Sequence, residues 1–373
     1  MKNPFITYGY AGAEYFCDRV KETKRLTTLL DNGNHVALIS PRRMGKTGLI
    51  KHCFAQPEIQ REYYTFVIDI YATTSLAEFT YKLGLTILNT LKSRERKVWE
   101  KFLMAISSLR QGITLDDFGR PSWNLELGDI RKPDISLEEI FRYLSEADKP
   151  CLVGIDEFQA ISNYEDKNVE ALLRTYIQDC NNARFVFSGS QRHMMGEMFT
   201  SPARPFYQSA SILPLKPIDK EIYSDFIIGH FAEHCKTISK DVTSYIYDKV
   251  EGTTWYIQKI CNELFAYTDK ECTMEDVDIA LNNILEDKTD TFQDILHHLT
   301  AKQKQLLIAL SKEDAGVQPT SSAFIKKYKL STASSIQRGL AALHDKDILT
   351  TEGGNYHIYD YFLLFWLRQE ENN

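Results

Sequence analysis

His35-Val36-Ala37-Leu38-Ile39-Ser40-Pro41-Arg42-Arg43-Met44-Gly45-Lys46-Thr47 is the stretch that decides the fold. Its first five residues form a short apolar run that reads as a buried strand. Its end matches the last three positions of the phosphate-loop pattern G-x-x-x-x-G-K-[ST], which lies between a strand and a helix. A helix is predicted to begin near Gly45. Backbone N–H groups at a helix start point at phosphate oxygens, and the helix dipole favours the anion there. In this pattern the Lys46 ammonium belongs on the β- and γ-phosphates of ATP, and the Thr47 hydroxyl on magnesium. Ser40 stands where the pattern has its first glycine, and Pro41 follows it. Both restrict the backbone, and Pro41 removes one N–H, so a stiffer loop is expected.

Further apolar runs extend this reading. Phe66 to Ile70, Cys151 to Ile155, Arg184 to Phe187 and Ser211 to Leu215 read as four more strands. Ser75-x-x-Glu78 and Ser136-x-x-Glu139 resemble capping boxes that open helices. Leu137, Ile140, Phe141 and Leu144 give the second of these a helical stripe. Strands alternating with helices imply an α/β fold, a parallel sheet covered on both faces. The Cys151–Ile155 run ends in Asp156-Glu157, placing two acids at the edge where open parallel sheets bind ligands. Asp156 is expected to hold magnesium. Glu157 is expected to orient and polarise the attacking water. Phe187-Ser188-Gly189-Ser190-Gln191-Arg192 closes the next strand, and Ser188, Ser190 or Arg192 could sense the γ-phosphate. The reading is therefore a P-loop ATPase that binds ATP or ADP with magnesium.

Composition sets the bounds. The chain has 373 residues, enough for two or three domains. Its net charge of −7 argues against a surface that grips nucleic acid all over, though not against one local basic face. Cys17, Cys53, Cys151, Cys180, Cys235, Cys261 and Cys272 are scattered and form no C-x-x-C pair. That pattern fits buried thiols in a reducing compartment. No run approaches the length of a membrane span, so a cytoplasmic protein without membrane contact is expected.

The stretch from about 92 to 133 interrupts the strand–helix rhythm. It opens with charges and is punctuated by Gly112, Gly119, Pro121 and Gly128, which read as turns or loops. It is taken as an insertion. From about Pro217 to Thr300 the pattern reads as wholly helical. Lys302 to Leu310, Ser321 to Tyr328 and Thr332 to Lys346 then read as three helices. Ile348 to Ile358 carries Gly353-Gly354 between two short strands, and Leu363 and Trp366 would fold back on the helices. This order is that of a winged helix. From residue 301 on, nine Lys and Arg face eight Asp and Glu. A DNA-reading domain is usually more basic, so DNA and protein remain equal candidates as its partner. Lys326, Lys327, Lys329 and Arg338 are the candidate basic patch. His230-Phe231-Ala232-Glu233-His234 matches a zinc-peptidase pattern but has no third ligand nearby, and a plain helix is expected.

Taken together, these residues resemble the archaeal-type ATPases of the STAND class, within the broader AAA+ group. The matching pieces begin with Tyr15-Phe16-Cys17-Asp18-Arg19, the Ser40–Thr47 loop and Ile155-Asp156-Glu157-Phe158-Gln159. They continue with Phe187-Ser188-Gly189-Ser190, Pro205-Phe206-Tyr207, Leu213-Pro214-Leu215 and Gly252-Thr253-Thr254-Trp255-Tyr256. The resemblance implies five parallel strands, with an extra one between the P-loop strand and the acidic strand. It also implies a helical lid and a C-terminal winged helix, and places Phe16, Asp18 and Arg19 near the adenine. Gln208-Ser209 stands where relatives have Gly-Arg, and Gly252-Thr253-Thr254-Trp255 where they have Gly-Gly-x-Pro. The expected domains are a core at 1–216, a lid at 217–300 and a winged helix at 301–373. Two functions follow: an ATP-hydrolysing switch whose winged helix contacts a partner, or a DNA-binding regulator whose nucleotide is structural or slowly hydrolysed. The oligomeric state is left open.

Overall fold

The computed structural model describes residues 3–108, 113–115, 121–123, 132–313, 317–352 and 354–370. The chain forms two compact units. One comprises Tyr8–Tyr223 with Thr253–Trp255, and the other Met1–Thr7, Ser224–Gly252 and Tyr256–Asn373.

In the first unit the strands are β1 (Val36–Ile39), β2 (Tyr64–Asp69), β3 (Ile113–Leu115), β4 (Pro121–Trp123), β5 (Cys151–Asp156), β6 (Ala183–Gly189) and β7 (Ser211–Pro214). Five of them form a parallel sheet in the order β2-β5-β6-β1-β7. Strand β6 lies between the P-loop strand β1 and the acidic strand β5, the extra strand that the resemblance implied. The helices are α1 (Val20–Asp31), α2 (Lys46–Phe54), α3 (Pro57–Glu62), α4 (Leu76–Leu91), α5 (Arg96–Ala105), α6 (Pro133–Glu146), α7 (Val169–Asp179) and α8 (Arg192–Thr200).

Alternation along β1 sends Val36 and Leu38 to one face and Ala37 and Ile39 to the other. The first face packs Leu26 and Leu30 of α1 and Leu49 and Ile50 of α2. The second packs Phe79 of α4, Ile140 of α6, Leu173 of α7 and Met195 of α8. Both faces are covered, so every residue of β5 is buried and its sequence reads as an apolar run. Each large apolar side chain buried this way contributes about 1.5–3 kcal/mol.

Two expectations fail around the insertion. Ser136 does not open a helix, because α6 starts at Pro133, whose fixed φ suits the first helical turn. Glu139 lies inside that helix, buried, and accepts hydrogen bonds from the Ser107 hydroxyl (2.5 Å) and the Ser108 amide (3.0 Å). Pro121 is not in a turn: it starts β4, which pairs antiparallel with β3. Gly112, Gly119 and Gly128 lie outside the described residues. Ser75 does cap α4, accepting from the Glu78 amide at 3.3 Å.

The second unit holds α9 (Lys220–Ala232, of which the residues from Ser224 belong here), β8 (Thr237–Ile238), α10 (Lys240–Lys249), α11 (Thr254–Tyr267, from Tyr256), β9 (Glu271–Cys272) and α12 (Met274–His297). The stretch is thus not wholly helical, since β8 and β9 pair in parallel. Strands this short have no period to read. The unit continues with α13 (Ala301–Ser311), α14 (Ser322–Lys327), α15 (Ala333–Asp345), β10 (Leu349–Glu352), β11 (Asn355–Ile358) and α16 (Tyr361–Glu370). Strands β10 and β11 form the expected antiparallel wing, while Gly353 lies outside the described residues. Helix α16 was not expected as a helix. Tyr361 to Leu367 is apolar without a break, which hides the helical period in the sequence, although the buried residues Phe362, Leu363, Trp366 and Leu367 lie on one helix face. Trp366 packs on Phe292 of α12, ring centres 5.7 Å apart.

At the end of α9, His230 Nδ1 lies 3.2 Å from Glu233, and His234 Nδ1 lies 2.9 Å from the His230 carbonyl, with Glu233 and His234 in the turn after the helix. Each ring therefore meets a partner within the same short segment, and the expected helix runs only to Ala232.

Candidate active site

Parallel register sets the site. Ile39 pairs with Gly189, Ile155 with Phe187 and Asp69 with Asp156. The loop after β1, the acids at the end of β5 and Ser188–Ser190 at the end of β6 therefore meet at one sheet edge.

The P-loop, Ser40 to Thr47, opens α2. Gly45 is the N-cap, with φ of 88°, a left-handed value that costs glycine little. Arg43 adopts a left-handed φ of 65°. The Lys46 side chain turns back into the loop. Its ammonium donates to the Ser40 carbonyl at 2.8 Å and the Pro41 carbonyl at 2.7 Å. Burial pushes its pKa down to about 8, against the opposing pull of Glu157 and Asp156, while the Arg42 charge adds to the depression. Met44 is buried and Arg42 half-buried.

Asp156 binds both of its neighbours. Its Oδ2 accepts from the Thr47 hydroxyl, and its Oδ1 from the Ser188 hydroxyl at 2.6 Å. Glu157 adopts a left-handed φ of 58°. A non-glycine residue held there stores strain of roughly 1–3 kcal/mol, a pattern found at functional sites. Its Oε2 accepts from the Ser190 hydroxyl (2.6 Å), the Ser190 amide (3.1 Å) and the Gln159 amide group (2.6 Å). Arg192 is exposed and begins α8.

The adenine-side candidates separate. The Arg19 guanidinium is buried and donates to the Lys216 carbonyl (2.7 Å), the Met44 carbonyl (3.1 Å) and Glu22 (2.9 Å). It ties the segment before α1 to the P-loop. Asp18 beside it is half-buried, with φ of 49°. Phe16 lies over Gly48, where an added Cβ would come within 3.2 Å of its ring. Phe16 also stacks on His52 at 4.3 Å, and the Tyr10 hydroxyl reaches His52 Nδ1 at 3.0 Å.

The sequence reading missed three members of this region. Gln159 figured only as part of a motif, although it holds Glu157. His52 stands one helical turn beyond Gly48, a spacing that could have marked it. Trp255 donates its amide to the Arg43 carbonyl (3.0 Å), and its ring lies 4.3 Å from the Arg43 guanidinium. No local signal links residues so far apart in sequence.

Residues 16–260 match the family described as an ATPase domain predominantly from Archaea. Residues 290–369 match the family described as "Probable winged helix domain". No curated protein matches the sequence. Among solved structures, the chain is similar to a Walker-type ATPase of Pyrococcus abyssi, with a TM-score of 0.69 and 19% identity over 98% of this chain and 99% of that one. It is also similar to the ORC2 protein of Aeropyrum pernix, solved as ADPNP–ADP complexes (TM-score 0.58, 12% identity, 100% and 99% covered). The ORC1 protein of the same organism, solved with DNA, gives a TM-score of 0.50 at 12% identity, with 95% and 93% covered. At these identities the likeness is one of fold.

Proposed function

Because the chain belongs to the family of ATPase domains found predominantly in Archaea, we propose that it binds and hydrolyses ATP and works as a nucleotide-dependent switch of the STAND type. One observation carries this reading: Lys46, the Thr47–Asp156 pair and the Glu157–Ser190 pair converge at one sheet edge. Lys46 would hold the β- and γ-phosphates. Ser40 to Gly45 would wrap them with backbone N–H groups, apart from the one that Pro41 lacks. Glu157 would orient a water and take its proton, and Ser190 and Arg192 would sense the γ-phosphate. Phe16 and Asp18 would lie on the adenine side, and Arg19 would support them through its bond to the Met44 carbonyl. The proposed divisions are a core at 1–216, a lid at 217–300 and a winged helix at 301–373.

Thr47 and Asp156 fit magnesium. They are two oxygen donors within hydrogen-bond reach of each other. Magnesium is typically held by one or two carboxylates, with phosphates and waters completing its shell. Bound there, the ion would neutralise charge on the transferring phosphoryl group. Phosphate release from ATP by the full chain tests hydrolysis. Release no greater than that of Glu157→Gln would leave the alternative, a DNA-binding regulator with structural nucleotide.

Arg192→Ala is expected to narrow the affinity ratio between ATP and ADP, because a guanidinium there would bind only the γ-phosphate. Titration with both nucleotides checks this, and an unchanged ratio makes Arg192 a surface residue.

The winged helix is the proposed output surface, and nucleotide exchange would bias its exposure. Lys326, Lys327, Lys329 and Arg338 are exposed, with Lys327 paired to Glu313 at 2.6 Å. If DNA is the partner, replacing all four by Ala should abolish DNA binding without touching ATP binding. Each cation removed from a DNA phosphate should lower the salt slope by about one. A protein partner would show little such effect. Hydrogen exchange in ATP and ADP checks the switch, and identical protection of residues 301–373 in both states removes it.

A further inference from the structure

We propose that Gln159 is a positioning residue that holds the Glu157 carboxylate in its water-directing orientation. This rests on the hydrolytic reading above and names a residue which that reading does not use.

Gln159 is 4% exposed. Its Nε2 donates to Glu157 Oε2 at 2.6 Å, and the Ser190 hydroxyl and amide donate to the same oxygen. The three donors come from two elements: the turn that follows β5 and the end of β6. They anchor Oε2 and leave Oε1 as the oxygen that none of them occupies. Asp156 is held by Thr47, Ser188 and the Glu157 backbone amide. The two neighbouring acids thus have disjoint sets of donors, as two different roles require.

The other end of the Gln159 amide points to the same conclusion. Its Oε1 is buried and has no hydrogen-bond partner among the described residues. Burying an unpartnered amide oxygen is unfavourable. The oxygen also sits where a side chain on Gly189 would be: an added Cβ would lie 2.2 Å from it and 2.6 Å from Met195 Sδ. The last residue of β6 therefore has to be glycine for the amide to fit. An apolar side chain at 159 would fill the same space without the unpartnered oxygen. What the amide adds is its N–H on Glu157. A Glu side chain has several rotatable bonds, and fixed donors are what keep its carboxylate in one orientation.

With Oε2 anchored, Oε1 is the oxygen that faces the water. As the water oxygen bonds to the γ-phosphorus and the bond to ADP breaks, Oε1 takes the water proton. Small misplacements of such a group are costly in rate, on the order of 10²-fold per ångström.

Gln159→Met in the full chain tests the proposal, because methionine keeps the length and removes both amide atoms. The expected result is a kcat lowered by roughly 10- to 10²-fold at unchanged ATP affinity, with a melting temperature equal to or above wild type. In a Glu157→Gln background the same change is expected to have no further effect, since the group it positions is gone. Wild-type kcat in Gln159→Met overturns the proposal. So does an equal loss in both backgrounds, which would mark a general structural role. Gln159→Asn keeps the amide but loses its reach; it serves if Gln159→Met does not fold, with the same two readings. Wild-type turnover in Glu157→Gln alone would instead overturn the hydrolytic reading.

Discussion

Lys46→Ala is expected to weaken ATP binding by about 10- to 10²-fold or more while the fold survives, as charge-assisted bonds to phosphate would be lost. The ammonium now meets the Ser40 and Pro41 carbonyls and the Ser40 hydroxyl, and its burial brings its pKa down to about 8. An incoming polyphosphate would favour the charged form. Below pH 8 the ammonium is already protonated, and affinity should be flat on its account. Above pH 8 binding must include uptake of a proton, so wild-type affinity should fall as pH rises, by up to about tenfold per unit. Lys46→Ala should lose this dependence. Calorimetry at pH 7 and pH 9 reads both effects. Equal ATP affinity in the variant and the wild type would remove Lys46 from the phosphate site.

Glu157→Gln is expected to separate binding from chemistry. The amide oxygen can still accept from Ser190 and Gln159, which now lie within 2.6 Å of the carboxylate. The variant loses the group that takes the proton. ATP affinity should stay near wild type, and turnover should fall by about 10²-fold or more. Asp156→Asn differs in kind: it should raise the magnesium concentration needed for nucleotide binding. Single-turnover measurement with saturating ATP distinguishes the two. A Glu157→Gln variant that hydrolyses ATP at the wild-type rate would show that another group acts on the water.

The central sheet strands were legible because both faces of the sheet are covered there. Val36–Ile39 and Cys151–Ile155 are buried and free of charge, and each run is bounded by polar residues. The loop Gly45-Lys46-Thr47 was legible because phosphate binding at a helix start needs those residues contiguous. Ser136-x-x-Glu139 misled because Pro133 had already opened the helix, which turned an apparent cap into a buried carboxylate that fastens Ser107 and Ser108. Phe362–Leu367 hid its helix because its less buried positions, Leu364 and Phe365, are apolar too, which erases the period from the sequence.

The sequence by itself determined the chemistry: an ammonium, a hydroxyl and two carboxylates on local motifs a few residues long. Only the tertiary structure decided which of them touch. Thr47 meets Asp156 across 109 residues, and Ser190 meets Glu157 across 33. Both pairings depend on β6 lying between β1 and β5 in one register. Strand order is set by packing between distant segments, and no local pattern encodes it. For the same reason Arg19 reaches the Met44 and Lys216 carbonyls, Trp255 lies over Arg43, and Gln159 finds both Glu157 and the space left by Gly189.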